Sequence, residues 1–279
     1  MATLLEPFAY GYMTNAMWVS ALVGAVCAFL SAFLMLKGWS LIGDALSHSI
    51  VPGVAGAYML GLPFALGAFI AGGLAAGSML FLTERSGLKV DTIIGLIFTS
   101  FFRLGLFMVS LSPTSVDVQT IVLGNILAVT ASDTIQLVII ATVSLAILTM
   151  KWKDLMLHAF DPAQARASGL PVTLLHYGLL TLLSLTIVAT LSATGLILAV
   201  GLLIAPGAIA FLVVRSFGPM LIVSVLVCLL SMFAGVYASF FLDSAPAPTI
   251  VLILTVIFVL AFINRLLVTR RTSRQAARG

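Results

Sequence analysis

Along this chain, long apolar runs alternate with short joints marked by glycine, proline and charge. Runs of about 20 apolar residues recur from end to end, the length a helix needs to cross the hydrocarbon core of a bilayer. The pattern predicts spans at roughly 14–36, 39–60, 63–83, 91–111, 130–151, 172–191, 195–214, 218–241 and 248–268. The joints are Lys37-Gly38, Gly61-Leu62-Pro63, Glu84 to Asp91, Ser112-Pro113, Ser192 to Gly195, Phe217-Gly218-Pro219 and Ser244 to Pro248. These are residue types that end or turn a helix. The span over 195–214 is short and a candidate for a broken helix. Segment 119–129 is apolar but too short to cross, which fits a re-entrant or interfacial piece. The expected fold is all-α and polytopic: eight or nine transmembrane helices, one transmembrane domain over 1–279, and a basic tail at 269–279.

Composition excludes a soluble domain. Hydrophobic residues make up 62% of the chain and charged ones 8%, with a mean hydropathy of +1.24, too little polar surface to cover a globule of this size. Cys27 and Cys228 lie far apart in apolar runs without a C-x-x-C, so they read as small apolar fillers. The start, Met1 to Pro7, has no basic leader, so the first span is expected to direct insertion itself.

The distribution of charge gives the topology. Of 13 basic residues, 12 fall at alternate joints or in the tail: Lys37; Arg85 and Lys89; Lys151, Lys153 and Arg166; Arg215; then Arg265, Arg270, Arg271, Arg274 and Arg278. The intervening joints carry only Asp117, Asp133 and Asp243. The positive-inside rule then places the basic joints and the C-terminus in the cytoplasm and the N-terminus outside. The remaining cation, Arg103, falls within a span. It reads either as a gate or pore-lining charge, or as an arginine that snorkels or pairs with a carboxylate.

Against this background Asp44 and His48 stand out. They are four residues apart in Trp39-Ser40-Leu41-Ile42-Gly43-Asp44-Ala45-Leu46-Ser47-His48-Ser49, so on a helix both emerge from one face. The topology puts them near the middle of the bilayer, where an ionisable group costs several kcal/mol on most estimates. Pro52-Gly53 follows within a turn and can kink the helix. A carboxylate with an imidazole suits Mn²⁺, Fe²⁺ or Zn²⁺, whereas thiolates or thioethers favour Cu(I). One of each is too few for a tight site; two copies from paired subunits would supply two oxygens and two nitrogens. A proton relay and a structural Asp–His pair fit the same spacing.

Other candidates are weaker. His158 lies in a joint and His176 near the start of a span, positions that read as interfacial. The 11 methionines are scattered, which reads as packing. Gly53, Gly56, Gly67, Gly72, Gly73 and Gly77 crowd two spans, and the Gly73/Gly77 spacing is one that brings helix backbones close.

No G-x-x-x-x-G-K-[ST] occurs, so no phosphate loop energises transport within this chain. Two cytoplasmic segments read as docking surfaces or as plain connectors. In Lys151 to Pro171, Asp161 can cap a short helix with Pro162 at its first position and Gly169 ending it. The other runs from Gly201 through Pro206-Gly207-Ala208 to Arg215 and Gly218.

With Gly43-Asp44-Ala45-Leu46-Ser47-His48-Ser49, Phe160-Asp161-Pro162 with Ala165 and Gly169, and Gly195 through Pro206-Gly207-Ala208, the chain resembles the integral-membrane permease subunit of bacterial ATP-binding-cassette importers for manganese, iron and zinc. The likeness covers nearly the whole chain and is strongest to the manganese/iron branch of enterobacteria, where two different permeases pair. It implies a type II importer fold in the inner membrane, with a second permease subunit, two cytoplasmic ATPases and a periplasmic metal-binding protein. It implies that Asp44 and His48 line the metal path, with no catalytic residue and no cofactor bound by this chain. It further implies that the segment around Pro206, Gly207, Arg215 and Gly218 inserts a coupling helix into the ATPase, with Asp161, Pro162 and Gly169 in the other docking segment. Arg103 departs from the pattern, which has a small residue between Phe102 and Leu104. Of the rival classes, a proton-coupled secondary transporter could use the Asp44–His48 pair but leaves both docking segments unexplained. An intramembrane hydrolase lacks an H-E-x-x-H. Nothing points to nucleic acid.

Overall fold

The computed structural model describes residues 6–111 and 131–276, and within them each predicted span falls on helix. In chain order the helices are α1 Glu6–Ala9, α2 Gly11–Lys37, α3 Ser40–Ser49, α4 Val51–Leu60, α5 Phe64–Ser86, α6 Val90–Leu111 and α7 Ala131–Met150. They continue as α8 Trp152–Phe160, α9 Pro162–Ala167, α10 Val172–Thr194, α11 Leu196–Val213, α12 Phe217–Leu242 and α13 Pro246–Ala276. Among the described residues, seven helices (α2, α5, α6, α10, α11, α12 and α13) are long and apolar enough to cross a membrane. The pair α7 and α8, bent by 70°, makes an eighth candidate. Segment 119–129 lies outside the described residues.

The span expected over 39–60 is divided. α3 and α4 are ten residues each and meet at Ile50, which keeps right-handed helical dihedrals (φ −80°, ψ −13°) where the run of helical hydrogen bonds is interrupted. Pro52 is the cause: it has no N–H to donate to the His48 carbonyl, the bond that would carry one turn into the next. That carbonyl accepts from the Ile50 N–H instead. The break rests on Gly105 of α6, where a methyl group would lie 2.8 Å from the Pro52 nitrogen.

α2 is the axis of the bundle, buried over most of its length, with α11 and α12 along it. Serines stitch the three together, as suits an interior where lipid gives no hydrophobic drive between helices. Ser224 donates to the Ala28 carbonyl at 2.8 Å. Ser31 accepts from the Gly207 N–H at 2.9 Å and donates to the Ile204 carbonyl at 3.3 Å. The expected break in 195–214 is absent, and α11 runs through Pro206 without interruption. Ser31 supplies the polar partner beside the proline that such a helix needs.

The close approach of glycines falls elsewhere than the Gly73/Gly77 spacing suggests. Gly53 of α4 and Gly67 of α5 meet face to face, and a methyl on either would strike the other's carbonyl oxygen, whereas Gly73 and Gly77 face open space. The sequence places three residues between the last two; only the fold decides which glycines meet a neighbour.

The ends of the helices sort as the charge parity requires. Lys37 at the end of α2 touches His158 of α8 and His176 at the start of α10, and Phe33 meets Phe217 at the start of α12. At the opposite face Tyr10, preceding α2, meets Phe240 near the end of α12. The joints bearing Lys37, Lys151 and Arg215 therefore share one side.

Candidate metal path

α3 is built so that one narrow face stays open. Ile42, Gly43, Ala45, Leu46, Ser47 and Ser49 are buried, while Leu41, Asp44 and His48, spaced three and four apart, remain partly accessible. Ser47 and Ser49 return their hydroxyls to the Gly43 and Ala45 carbonyls at 2.8 and 2.7 Å, which satisfies them without a cross-link. The side chains of His48 and Asp44 are 25% and 39% exposed, so the pair borders the surface of this chain and is not sealed in its core.

Asp44 Oδ1 lies 3.4 Å from His48 Nε2. The imidazole is held edge-on by Phe98 and Phe102 of α6, at ring-centroid distances of 5.2 and 5.4 Å. These two rings stack on each other at 6.0 Å. His48 Nδ1 is buried and has no hydrogen-bond partner. With metal–ligand distances of about 2.1 Å, an ion bridging Oδ1 and Nε2 would subtend about 110° at the metal, close to tetrahedral. Once Nε2 is unprotonated, the pair can therefore grip a divalent cation with little rearrangement. Among the described residues no third His, Cys, Asp or Glu joins it.

Arg103 neighbours Phe102 but is exposed, on a different face of α6. The ion pairs among the described residues are His48–Asp44 and Lys151–Asp154, so no carboxylate there pairs with Arg103.

In the segment from Lys151 to Pro171 the local chemistry takes the expected form. Asp161 Oδ1 accepts from the Ala163 and Gln164 N–H groups at 2.9 and 3.0 Å, Pro162 opens α9, and Gly169, at φ +78°, closes it. Phe160 beside it is 77% exposed. The second segment divides: Pro206 and Gly207 are buried inside α11 against α2, while Arg215 is exposed in the link to α12. No helix runs from Pro206 to Gly218, because α11 ends at Val213 and both Val214 and Ser216 have extended backbones. The fold does bring the two segments near each other, since a methyl group on Gly218 would lie 4.0 Å from the Trp152 ring.

Lys37 was not a candidate from the sequence. Its Nζ lies 2.8 Å from His158 Nε2 and 3.2 Å from His176 Nδ1. The only sequence signal was that all three residues belong to joints on the same side.

The described residues thus form a helical membrane bundle with a carboxylate–imidazole pair on a broken helix and an Asp161-capped helix at one end. Residues 9–265 match the ABC 3 transport family, and the chain belongs to that family of ATP-binding-cassette permeases. It is 50% identical to the "Chelated iron transport system membrane protein YfeC" of Yersinia pestis, over 97% of this chain and 94% of that protein. It is 45% identical to the "Manganese transport system membrane protein MntB" of a Synechocystis strain, over 94% and 85%. Among solved structures, "PsaBC from Streptococcus pneumoniae in complex with Fab" superposes with a TM-score of 0.84 at 33% identity, covering 94% of this chain and 95% of that one.

Proposed function

We propose that this chain is the translocation subunit of an inner-membrane importer that admits Mn²⁺ or Fe²⁺ from the periplasm, with Asp44 and His48 as its half of a transit site. The observation that carries the reading is the 3.4 Å pair on the open face of α3. It has the right donors and separation for a first-row divalent ion and too few donors to retain one. A second permease, identical or homologous, completes the site, and the partial exposure of Asp44 and His48 supports a partner over that face. The likeness to iron and manganese permeases favours these two metals over Zn²⁺.

ATP is hydrolysed by two cytoplasmic partner subunits, since the sequence has no phosphate loop of its own. They dock on α8 and α9, around Asp161, Pro162 and Gly169, with Arg215 and Gly218 beside them. Pro206 and Gly207 act from inside the bundle, by holding α11 to α2. A periplasmic metal-binding protein delivers the ion to the opposite face. The basic joints then lie in the cytoplasm, the N-terminus in the periplasm and the C-terminus inside.

The test is Mn²⁺ uptake by cells or proteoliposomes carrying the whole complex. Asp44→Ala and His48→Ala are each expected to abolish uptake while the subunits still co-purify. Wild-type uptake by both variants overturns the transit site. Proton-driven accumulation of Mn²⁺ by the isolated chain, without ATP, overturns the importer assignment in favour of a secondary transporter.

A further inference from the structure

We propose that Lys37, clamped by His158 and His176, is a positioning residue that transmits movement of the docking helices to the helix carrying Asp44 and His48. The inference rests on the docking and transit roles proposed above, and adds the physical link between them.

Lys37 is half-buried in a cluster of two imidazoles and an indole. Two of its three ammonium protons point to His158 Nε2 at 2.8 Å and His176 Nδ1 at 3.2 Å. The ammonium also lies 3.8 Å from the centroid of the Trp39 ring, a cation–π contact. Trp39 meets His176 edge-on at 5.0 Å, and the two imidazoles meet each other at 5.7 Å. No carboxylate among the described residues pairs with this lysine. Because both imidazoles accept from Lys37, both are neutral there, with N–H groups at His158 Nδ1 and His176 Nε2. Those two atoms are buried and unpartnered.

Such an arrangement is costly for a lysine at a span end, which ordinarily snorkels to water. Here the side chain turns toward the bundle, exchanging part of its solvent for two imidazoles and an indole. What it gains is mechanical: the cluster joins three helices at one point. On one side, His158 sits in the last turn of α8, and Asp161 immediately after that helix caps α9. On the other, Lys37 is the last residue of α2, and Trp39 is the residue from which α3 starts.

The corner between α2 and α3 is stiff. Gly38, at φ +70°, closes α2, and the Trp39 N–H donates to the Leu34 carbonyl at 2.8 Å, a left-handed helix stop with both ends bonded. A displacement of α8 by a docked ATPase therefore reaches the start of α3 through one hydrogen bond and one rigid corner. His176 holds the same ammonium against α10, which keeps the corner from swinging free.

The experiment uses the assembled complex in proteoliposomes, with Mn²⁺ uptake and ATP hydrolysis measured together. Lys37→Met and His158→Leu are expected to leave subunit yield and hydrolysis near wild type while Mn²⁺ moved per ATP falls about tenfold. His158→Gln, whose amide oxygen can accept from Lys37 in place of Nε2, is expected to bring that ratio back toward wild type. A wild-type ratio in Lys37→Met and His158→Leu overturns the strut. So does a parallel fall of yield, hydrolysis and uptake without rescue by His158→Gln, which marks a purely structural cluster. A wild-type complex that hydrolyses ATP but moves no Mn²⁺ removes the importer reading itself, and is told apart because the unmutated protein already fails.

Discussion

Replacing Gly207 by alanine should loosen the bundle from its axis, and the size of the effect follows from the contacts. A methyl group at this position would lie 2.6 Å from both the Ser31 carbonyl oxygen and the Ser31 hydroxyl. The obstacle on the α2 side is partly backbone, which cannot rotate away. Overpacking of this kind costs about 1–3 kcal/mol. Separating α2 from α11 also lengthens the 2.9 Å bond from the Gly207 N–H to Ser31, and interhelical hydrogen bonds in membranes average about 0.6 kcal/mol. The two together come to about 2–4 kcal/mol, which for a chain of this size lowers the midpoint of thermal unfolding by about 3–6 °C. The assay is a fluorescence thermal scan of the detergent-purified complex, with Gly73→Ala as control, because a methyl there meets open space. Equal midpoints for Gly207→Ala and Gly73→Ala would refute the packing account of Gly207.

Gly67→Ala should destabilise at least as strongly as Gly207→Ala, because its methyl would meet the Gly53 carbonyl with no side chain able to yield; the same thermal scan reads it. Asp161→Ala removes both acceptor contacts to the first turn of α9 and should cost that helix about 1 kcal/mol. The expected readout is weaker co-purification of the ATPase with little change in the thermal midpoint of the permease. Gly169→Ala puts a Cβ on a residue at φ +78°, a strain of about 1 kcal/mol. It should weaken the same co-purification, and unchanged recovery of ATPase by both variants would remove α9 from the docking surface.

Much of this protein was determined by local rules that the sequence states outright. Helix positions follow from apolar runs long enough to cross lipid, because a backbone in hydrocarbon has to bond within its own segment. That the joints of Lys37, Lys151 and Arg215 share one side was legible in the lysines and arginines kept to alternate joints. The caps of α9 were legible because Asp161, Pro162 and Gly169 each act on their own backbone. Asp44 and His48 were legible because helical spacing puts both on one face and their cost in lipid marks them. What the tertiary structure decided concerns contacts between distant residues. It chose Gly53 and Gly67 over Gly73 and Gly77 as the point of closest approach, and buried Pro206 and Gly207 on Ser31. It turned Lys37 toward two histidines more than a hundred positions away. Nothing in the local pattern distinguishes a glycine that meets a backbone from one that meets lipid, or a lysine that snorkels from one that turns to histidines; that depends on which helices become neighbours.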